Sequence, residues 1–302
     1  MIETGEPGHH GNGGRMTIKA LYKLWLEEKR GGLRPASLST YTLLAERYIL
    51  PLVGEQETVS AADTERIVDE MVATGKSART RRQALNILSN ILRYGGLPAI
   101  SAAGDDTPAS VRILPDEAVQ KLMASLRENP HPRNVGLYVA LTTGLRASEL
   151  CALRWQDVDD ALHIRGSISY LWDTETHTWR PKEEGEQALV PRDIPLTGTQ
   201  RQFLNARRGA SAAYLLSGEL APMQPRTLRL AARRFLAQNG LSEYSLADFR
   251  HTFAARCLRS GCNYSTLGAL LGVQSVQALQ KKYGRFARTD LPSAMENQMA
   301  AL

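Results

Sequence analysis

Thr143-Gly144-Leu145-Arg146-Ala147-Ser148-Glu149-Leu150 is the stretch that decides how this chain of 302 residues is interpreted. A glycine turn comes directly before an arginine, and the residues that follow carry apolar side chains at helical spacing. A guanidinium at the start of a helix is held by a rigid element and can bind a phosphate through parallel hydrogen bonds. Taken alone, Arg146 is more simply explained as a helix cap or as an ion-pair partner of Glu149.

Two later segments also carry side chains suited to phosphate chemistry. Arg250 lies in the first turns of a predicted helix that begins at Ser245, with Asp248 completing a capping box. Tyr283 is flanked by lysines and followed by glycine, so we expect an exposed, mobile phenol in a positive field, which favours attack on phosphorus. Each also has a purely structural explanation, a solvated arginine and a tyrosine that anchors a C-terminal helix.

The bulk composition is that of a soluble globular protein, with 43% hydrophobic and 23% charged residues. The length allows two domains. A net charge of +6 suits a polyanionic partner, although many proteins that never bind nucleic acid are as basic. The low aromatic share, 6%, offers little stacking surface for single-stranded nucleic acid.

The cysteines and the apolar runs indicate a cytoplasmic protein with no metal and no membrane span. Cys151, Cys257 and Cys262 have no zinc-site spacing, and a sparse, odd count fits a reducing compartment. No apolar run approaches the roughly 18 residues of a transmembrane helix. Residues 1–15 are glycine-rich without the apolar core of a signal peptide, so we expect a flexible lead-in and no separate arm-binding domain.

The remaining chain divides into two predicted domains. Residues 16–97 read as four helices with short links, the second beginning after Ser37 as N-cap. Residues 98–109, which contain proline, glycine and aspartate, are the best candidate for a linker. Residues 110–302 are mostly helical, and everything after Thr199 has a helical pattern.

A small antiparallel sheet interrupts the helices of the second predicted domain. Residues 162–169 alternate like a strand, and residues 179–182 and 188–194 have the pattern of two hairpin arms around 183–186. We therefore predict a mainly α fold, in which a helical domain precedes a mostly helical domain that carries this sheet.

These segments together resemble the tyrosine recombinases of the phage and transposon integrase type, over residues 16 to 286. The family's first box is reproduced from Thr143 to Asp159, and its Arg-His-Thr-Phe-Ala box lies at Arg250–Ala254. The family's hairpin lysine corresponds to Lys182. The helical region before the first box resembles the family's core-binding domain.

The resemblance implies a site-specific recombinase or integrase of a mobile genetic element, with a SAM-like core-binding domain and a catalytic domain of the DNA breaking-rejoining fold. Arg146 and Arg250 would hold the scissile phosphate, Tyr283 would form a 3′-phosphotyrosine, and Lys182 would protonate the leaving 5′ oxygen. It implies double-stranded DNA as partner, a homo-oligomer on DNA, typically a tetrameric synapse, and no metal or nucleotide cofactor.

Two positions depart from the family pattern. Ala247 and Val273 stand where the family usually has a histidine and a histidine or tryptophan. His251, one turn past Ala247, is the remaining candidate to approach the phosphate. Losing one donor to a developing oxyanion costs about 10² to 10³ in rate. Because phosphoryl transfer depends mainly on positioning and charge, we expect cleavage to persist.

Further arginines are candidates for DNA contacts, with a solvated helix face as the plain alternative. One set opens the fourth helix of the first domain: Arg79, Arg81 and Arg82. The other follows one face of a later helix: Arg226, Arg229 and Arg233. Beside a recombinase site, we expect both sets to contact the DNA backbone.

Three other functions remain open from the sequence. The aliphatic Ala247 and Val273 are compatible with a DNA-binding protein on a recombinase scaffold that cuts weakly or no longer cuts. A type IB topoisomerase shares the chemistry, although the core-binding domain argues against it. A helical scaffold for protein contacts would make both arginine boxes coincidental. The apolar residues Leu291, Met295 and Met299 suggest a tail that packs on a neighbouring protomer.

Overall fold

The computed structural model describes residues 16–100, 111–129, 131–181 and 186–287. The predicted lead-in, Lys182 and the tail with Leu291, Met295 and Met299 lie outside the described residues, as does most of the predicted linker. The described chain forms two compact units that divide between residues 100 and 111, and the segment Tyr170–Arg180 belongs with the first unit.

The first unit is helical, and hydroxyl caps set most of its helix starts. Its helices are α1 (Ile18–Arg30), α2 (Pro35–Leu44), α3 (Leu50–Val53), α4 (Ala61–Ala73) and α5 (Ala78–Tyr94), with a π-helical turn at Ala45–Ile49. Ser60 and Asp63 form a capping box, and the Ser77 hydroxyl accepts from the Thr80 N–H. The predicted cap at Ser37 is wrong, because Pro35 begins α2 and Ser37 lies inside it.

Apolar faces at helical spacing close the core of this unit. Trp25 of α1, Ile67 of α4 and Leu88 of α5 are all at most 2% exposed. Trp25 also stacks on Tyr41 of α2, with ring centroids 5.7 Å apart. Each helix therefore buries one face, as the sequence pattern predicts.

The second unit contains the longer run of helices. They are α6 (Asp116–Glu128), α7 (Pro132–Thr143), α8 (Ala147–Ala152), α9 (Gly198–Asn205), α10 (Pro225–Gln238), α11 (Leu246–Arg259), α12 (Tyr264–Leu271) and α13 (Val276–Tyr283). Between Thr199 and residue 287 the helical prediction holds except for residues 206–224, which connect α9 to α10 without a helix.

Two antiparallel strand pairs lie between α8 and α9. The strands are β1 (Ala161–Ser167), β2 (Tyr170–Asp173), β3 (Thr178–Pro181) and β4 (Glu186–Pro195). Among the described residues β1 pairs with β4 and β2 with β3, so the predicted arms of one hairpin belong to different pairs. The turn that closes β2 and β3 contains His177 at φ 50°, a conformation that the sequence pattern did not signal.

The mainly α fold with a small antiparallel sheet component is confirmed. No helix in the described ranges is long and apolar enough to cross a membrane. The feature that positions the site is the packing of α11, α12 and α13 around a shared apolar cluster. Leu258, Leu267 and Leu279 form part of it, and the ring of Tyr283 completes it.

Candidate active site

A glycine turn between α7 and α8 presents Arg146. Gly144 ends α7 in the left-handed conformation at φ 65°, and Arg146 then occupies the N-cap position of α8. A Cβ at Gly144 would lie only 2.7 Å from Cδ1 of Phe253, which belongs to α11. Both the backbone angle and the close approach of α11 therefore require glycine at this turn.

The Arg146 guanidinium is held by one carboxylate and two carbonyls. Its Nη1 donates to Glu149 Oε1 at 3.0 Å and to the Leu271 carbonyl at 3.2 Å, and its Nη2 donates to the Gly272 carbonyl at 3.3 Å. The side chain remains 33% exposed. Arg146 is thus fixed in place and still open to solvent on one side.

Arg250 reaches the same carbonyl from α11. Its Nη1 donates to the Gly144 carbonyl at 2.8 Å, and its Nη2 donates to the Leu271 carbonyl at 2.9 Å. The Leu271 oxygen therefore accepts from both arginines that the sequence singles out. Burial, and then the nearby charge of Arg146, lower the pKa of Arg250 to about 10, so it remains cationic at neutral pH.

A third arginine, Arg192, completes this group, and the sequence pattern did not indicate its role. Arg192 of β4 is 9% exposed and binds Glu149 through two parallel hydrogen bonds of 3.0 Å. Its Nε donates to the Leu270 carbonyl at 2.8 Å. Arg192 lies two residues before the buried Ile194 on a strand, so a charged residue at an inward position was the available signal.

Glu149 connects the two arginines that flank it. Its carboxylate accepts from the Arg146 N–H at 2.9 Å as well as from both guanidinium groups. Burial acts to raise the pKa of Glu149, but the hydrogen bonds from Arg192 and from the Arg146 backbone outweigh it and hold that pKa below its usual range. Glu149 is therefore an ionised carboxylate that is only 4% exposed, and its hydrogen bonds orient Arg146.

The C-terminal end of α12 gathers all three guanidinium groups. The carbonyls of Leu270, Leu271 and Gly272 accept from Arg192, from Arg146 and Arg250, and from Arg146 respectively. The final carbonyls of a helix carry its negative partial charge and favour cations. These contacts place the arginines side by side without neutralising them fully.

Tyr283 lies at the end of α13 and is buried, contrary to the sequence prediction. Its side chain is 2% exposed, because the ring packs into the α11–α13 cluster. Its hydroxyl is 2.7 Å from Nδ1 of His251. Burial raises the pKa of Tyr283, and the charges of Arg250 and Arg146 oppose that rise only in part, so the phenol keeps its proton at neutral pH.

The remaining predicted positions differ in what the structure describes. Ala247 is exposed at the start of α11, and Val273 follows α12 with its N–H donating to the Gly268 carbonyl at 2.9 Å. Lys182 lies outside the described residues. Within those residues, no group of three His, Cys, Asp or Glu side chains is arranged to hold a metal ion.

The predicted DNA-contact arginines fall into two kinds. Arg226, Arg229 and Arg233 are exposed along α10, and none forms an ion pair in the part of the chain that the structure describes. In the first unit Arg79 is exposed, whereas Arg81 is half-buried and donates to the Lys76 carbonyl at 2.6 Å; Arg82 is also half-buried. The α10 set therefore forms a continuous cationic face, and the α5 set does not.

Comparison with known proteins gives one family and several relatives. The model of the phage integrase family matches residues 112–288. Tyrosine recombinase XerC of Xanthomonas campestris is 26% identical over 204 residues, which are 63% of this chain and 58% of the relative. Tyrosine recombinase XerA of Pyrococcus furiosus is 24% identical over 288 residues, covering 93% of this chain and 96% of the relative.

Solved structures share the fold at low sequence identity. The Tn1549 transposon integrase in complex with transposon right-end DNA superimposes with a TM-score of 0.69 at 19% identity, over 94% of this chain and 99% of that one. Lambda integrase bound to DNA gives a TM-score of 0.59 at 15% identity, over 89% and 97%. The match to XerC covers less than two thirds of that relative's length.

Proposed function

Because the chain belongs to the phage integrase family, we propose that it is a site-specific tyrosine recombinase that cuts and rejoins double-stranded DNA. The observation that carries this proposal is the convergence of Arg146 and Arg250 on the Leu271 carbonyl. Two guanidinium groups held side by side at one point suit a single phosphate, and few other ligands need both. The DNA in the solved structures of the Tn1549 and lambda integrases supports the choice of substrate.

The two arginines bind the non-bridging oxygens of the scissile phosphate. Each carries more N–H donors than the protein carbonyls use, so each can bind an anion without leaving its helix-end contacts. Charge-assisted bonds of this kind neutralise the phosphate and stabilise the charge of the transition state. Glu149 and Arg192 keep Arg146 in place and do not take part in the chemistry.

Tyr283 is the nucleophile. Its oxygen attacks phosphorus in line with the departing 5′ oxygen, which gives a 3′-phosphotyrosine and a free 5′-hydroxyl. Lys182 donates the proton to the 5′ oxygen, as the resemblance implies. The phosphotyrosine conserves the bond energy, so a 5′-hydroxyl from a partner strand can reseal the break without a metal or a nucleotide.

The rest of the chain contributes DNA binding and assembly. Residues 16–97 form a core-binding domain and residues 110–302 the catalytic domain. The exposed face of Arg226, Arg229 and Arg233 contacts the DNA backbone near the site. Strand exchange requires several protomers, so the active assembly is a homo-oligomer on DNA, typically a tetramer, as expected for an enzyme of a mobile genetic element.

Covalent trapping on nicked duplexes tests the proposed function. A binding site is first selected from a randomised duplex library, and a nick is then placed beside the scissile phosphate so that the freed fragment diffuses away. Wild-type protein should form a covalent adduct that survives denaturation. Tyr283→Phe should form none, while Tyr264→Phe should retain it, because Tyr264 begins α12 and the arginines bind carbonyls at the other end of that helix.

Two outcomes would reject the proposal in favour of other functions. Tight binding without an adduct in the wild type would indicate a DNA-binding protein that no longer cuts. Relaxation of supercoiled plasmids that lack the selected site would indicate a topoisomerase, since a recombinase acts at its own sequence.

A further inference from the structure

The hydroxyl of Tyr283 and the imidazole of His251 form a direct pair. Oη and Nδ1 are 2.7 Å apart, and the ring centroids are separated by 5.7 Å at an angle of 54°. His251 lies on α11 and Tyr283 ends α13, and these helices share one apolar cluster. Packing, not a flexible surface contact, therefore brings the two side chains together.

Both members of this pair are uncharged at neutral pH. Burial raises the pKa of the phenol, so at neutral pH Tyr283 carries a proton to donate. Burial also lowers the pKa of His251 to about 4, and the nearby Lys282 and Arg250 act in the same direction against the opposing charge of Asp248. With both groups neutral, the phenol donates to Nδ1 in the tautomer that carries its ring proton on Nε2.

In the part of the chain that the structure describes, Nδ1 of His251 is the hydrogen-bond partner of the Tyr283 hydroxyl. The positions where the family usually has other ring side chains are Ala247 and Val273, and neither has a polar side-chain atom. The neighbouring Arg250 and Lys282 are cations and cannot take a proton. A buried, protonated phenol is a poor nucleophile, so a site with this tyrosine needs a base.

We propose that His251 is the general base of strand cleavage and the general acid of religation, an inference that rests on the proposed recombinase function. As Tyr283 Oη bonds to phosphorus, its proton passes to His251 Nδ1. The bond from phosphorus to the 5′ oxygen breaks, and that oxygen takes a proton from Lys182, the general acid of the proposed reaction. In religation the attacking 5′-hydroxyl returns its proton to the neutral amine of Lys182, and the imidazolium returns one to the departing phenolate.

The position of His251 suits this role because it directly follows Arg250 on α11. One helix therefore carries both a phosphate ligand and the group that accepts the proton of the nucleophile. The low pKa of the imidazole leaves its base form fully populated at neutral pH. As the phosphate ester forms, the phenol becomes strongly acidic, so even a weak base accepts its proton.

Two substitutions separate proton transfer from hydrogen bonding. His251→Asn places an amide where Nδ1 lies, which keeps a hydrogen bond to Tyr283 but accepts no proton, and His251→Ala removes both. Single-turnover cleavage of the nicked duplex is measured from pH 5.5 to 9.5, together with DNA affinity and thermal unfolding to verify the fold. His131→Ala, which removes an exposed imidazole at the start of α7, is the control.

Both variants should cleave about 10² to 10⁴ times more slowly than the wild type at neutral pH. Their rates should rise about tenfold per pH unit as the phenolate forms, while the wild type and His131→Ala stay nearly flat. Added imidazole should accelerate His251→Ala and should not accelerate the wild type.

A wild-type cleavage rate in His251→Asn would overturn the assignment. So would slowing of both variants by the same factor at every pH, without rescue by imidazole, which would leave His251 a positioning residue. These results are distinct from failure of the proposed function, in which the wild type itself forms no adduct.

Discussion

Two groups of arginines in the second unit differ in how they are held. Arg146, Arg192 and Arg250 are bound to carbonyls at the end of α12, and two of them also bind Glu149. Arg226, Arg229 and Arg233 extend from α10 into solvent without an ion pair among the described residues. The first group is oriented by the protein before any ligand binds, and the second is not.

The difference predicts different roles for the two groups. The fixed group suits the reacting phosphate, and the exposed group suits attraction of the DNA backbone. A fixed guanidinium fork loses little freedom on binding and can match the geometry of one phosphate. An exposed arginine contributes a positive charge that can pair with any of many backbone phosphates. Salt weakens this attraction. Substitutions that preserve charge but change shape should therefore damage the fixed group, Arg146, Arg192 and Arg250, far more than the exposed group on α10.

The largest effect, a loss of unfolding free energy, is expected when the Glu149 carboxylate that holds the fixed group is removed. Glu149→Gln leaves Arg192 at 9% exposure without its counter-ion, and breaking a buried ion pair typically costs about 3–5 kcal/mol of stability. The free energy of unfolding by urea measures this loss. The double variant with Arg192→Met should be less destabilised than Glu149→Gln alone, and additive losses would contradict the pairing.

A charge-preserving substitution distinguishes the two groups in cleavage itself. Arg250→Lys keeps a positive charge but loses the fork that joins the Gly144 and Leu271 carbonyls. The rate of adduct formation should fall about 10² to 10³ fold. Arg229→Lys should change it by only a few fold, because a point charge suffices there. Equal effects at both positions would remove the distinction.

The glycine turn allows a comparison of strain with and without a steric clash. Gly144→Ala forces alanine to φ 65° and places its Cβ against Phe253, so we expect a loss of about 1–3 kcal/mol in unfolding free energy and slower cleavage. In Gly240→Ala the residue has a similar φ of 76°, but its added Cβ would have no other atom within 4 Å. It should cost less stability and leave cleavage unchanged; a slow Gly240→Ala would point to a general effect of stability.

The smallest effect is expected on the exposed face. Replacing Arg226, Arg229 and Arg233 with alanine should weaken binding to all duplex sequences alike. The slope of log affinity against log salt should fall by about 0.9 for each lost phosphate contact. An unchanged slope would mean that α10 faces away from the DNA.

Local sequence signals predicted the helices and the two arginine boxes well. Ser245 and Asp248 form the predicted capping contacts, with the carboxylate accepting from the Ser245 N–H at 2.8 Å. The family resemblance and the mainly α fold are confirmed as well. Caps, glycine turns and helical periodicity depend on a few neighbouring residues, so they can be predicted without knowledge of tertiary contacts.

The errors at the site and in the strand pairing concern long-range contacts. The pairing of β1 with β4 joins residues that are 19 to 34 positions apart along the chain, from Ser167 with Glu186 to Ala161 with Pro195, and the strand pattern did not select these partners. Tyr283 looked exposed beside its lysines, yet packing against α11 and α12 buries it. Arg192 gained its role only from Glu149 and Leu270, which are 43 and 78 residues away along the chain.

Locating the covalent bond tests most directly whether Tyr283 is the nucleophile. The trapped protein–DNA adduct is digested with protease and nuclease, and the modified peptide is fragmented by mass spectrometry. We expect a nucleotide joined by its 3′-phosphate to Tyr283, with a 5′-hydroxyl on the released strand. An adduct on another residue, a linkage through a 5′-phosphate, or bound DNA with no covalent peptide would contradict it.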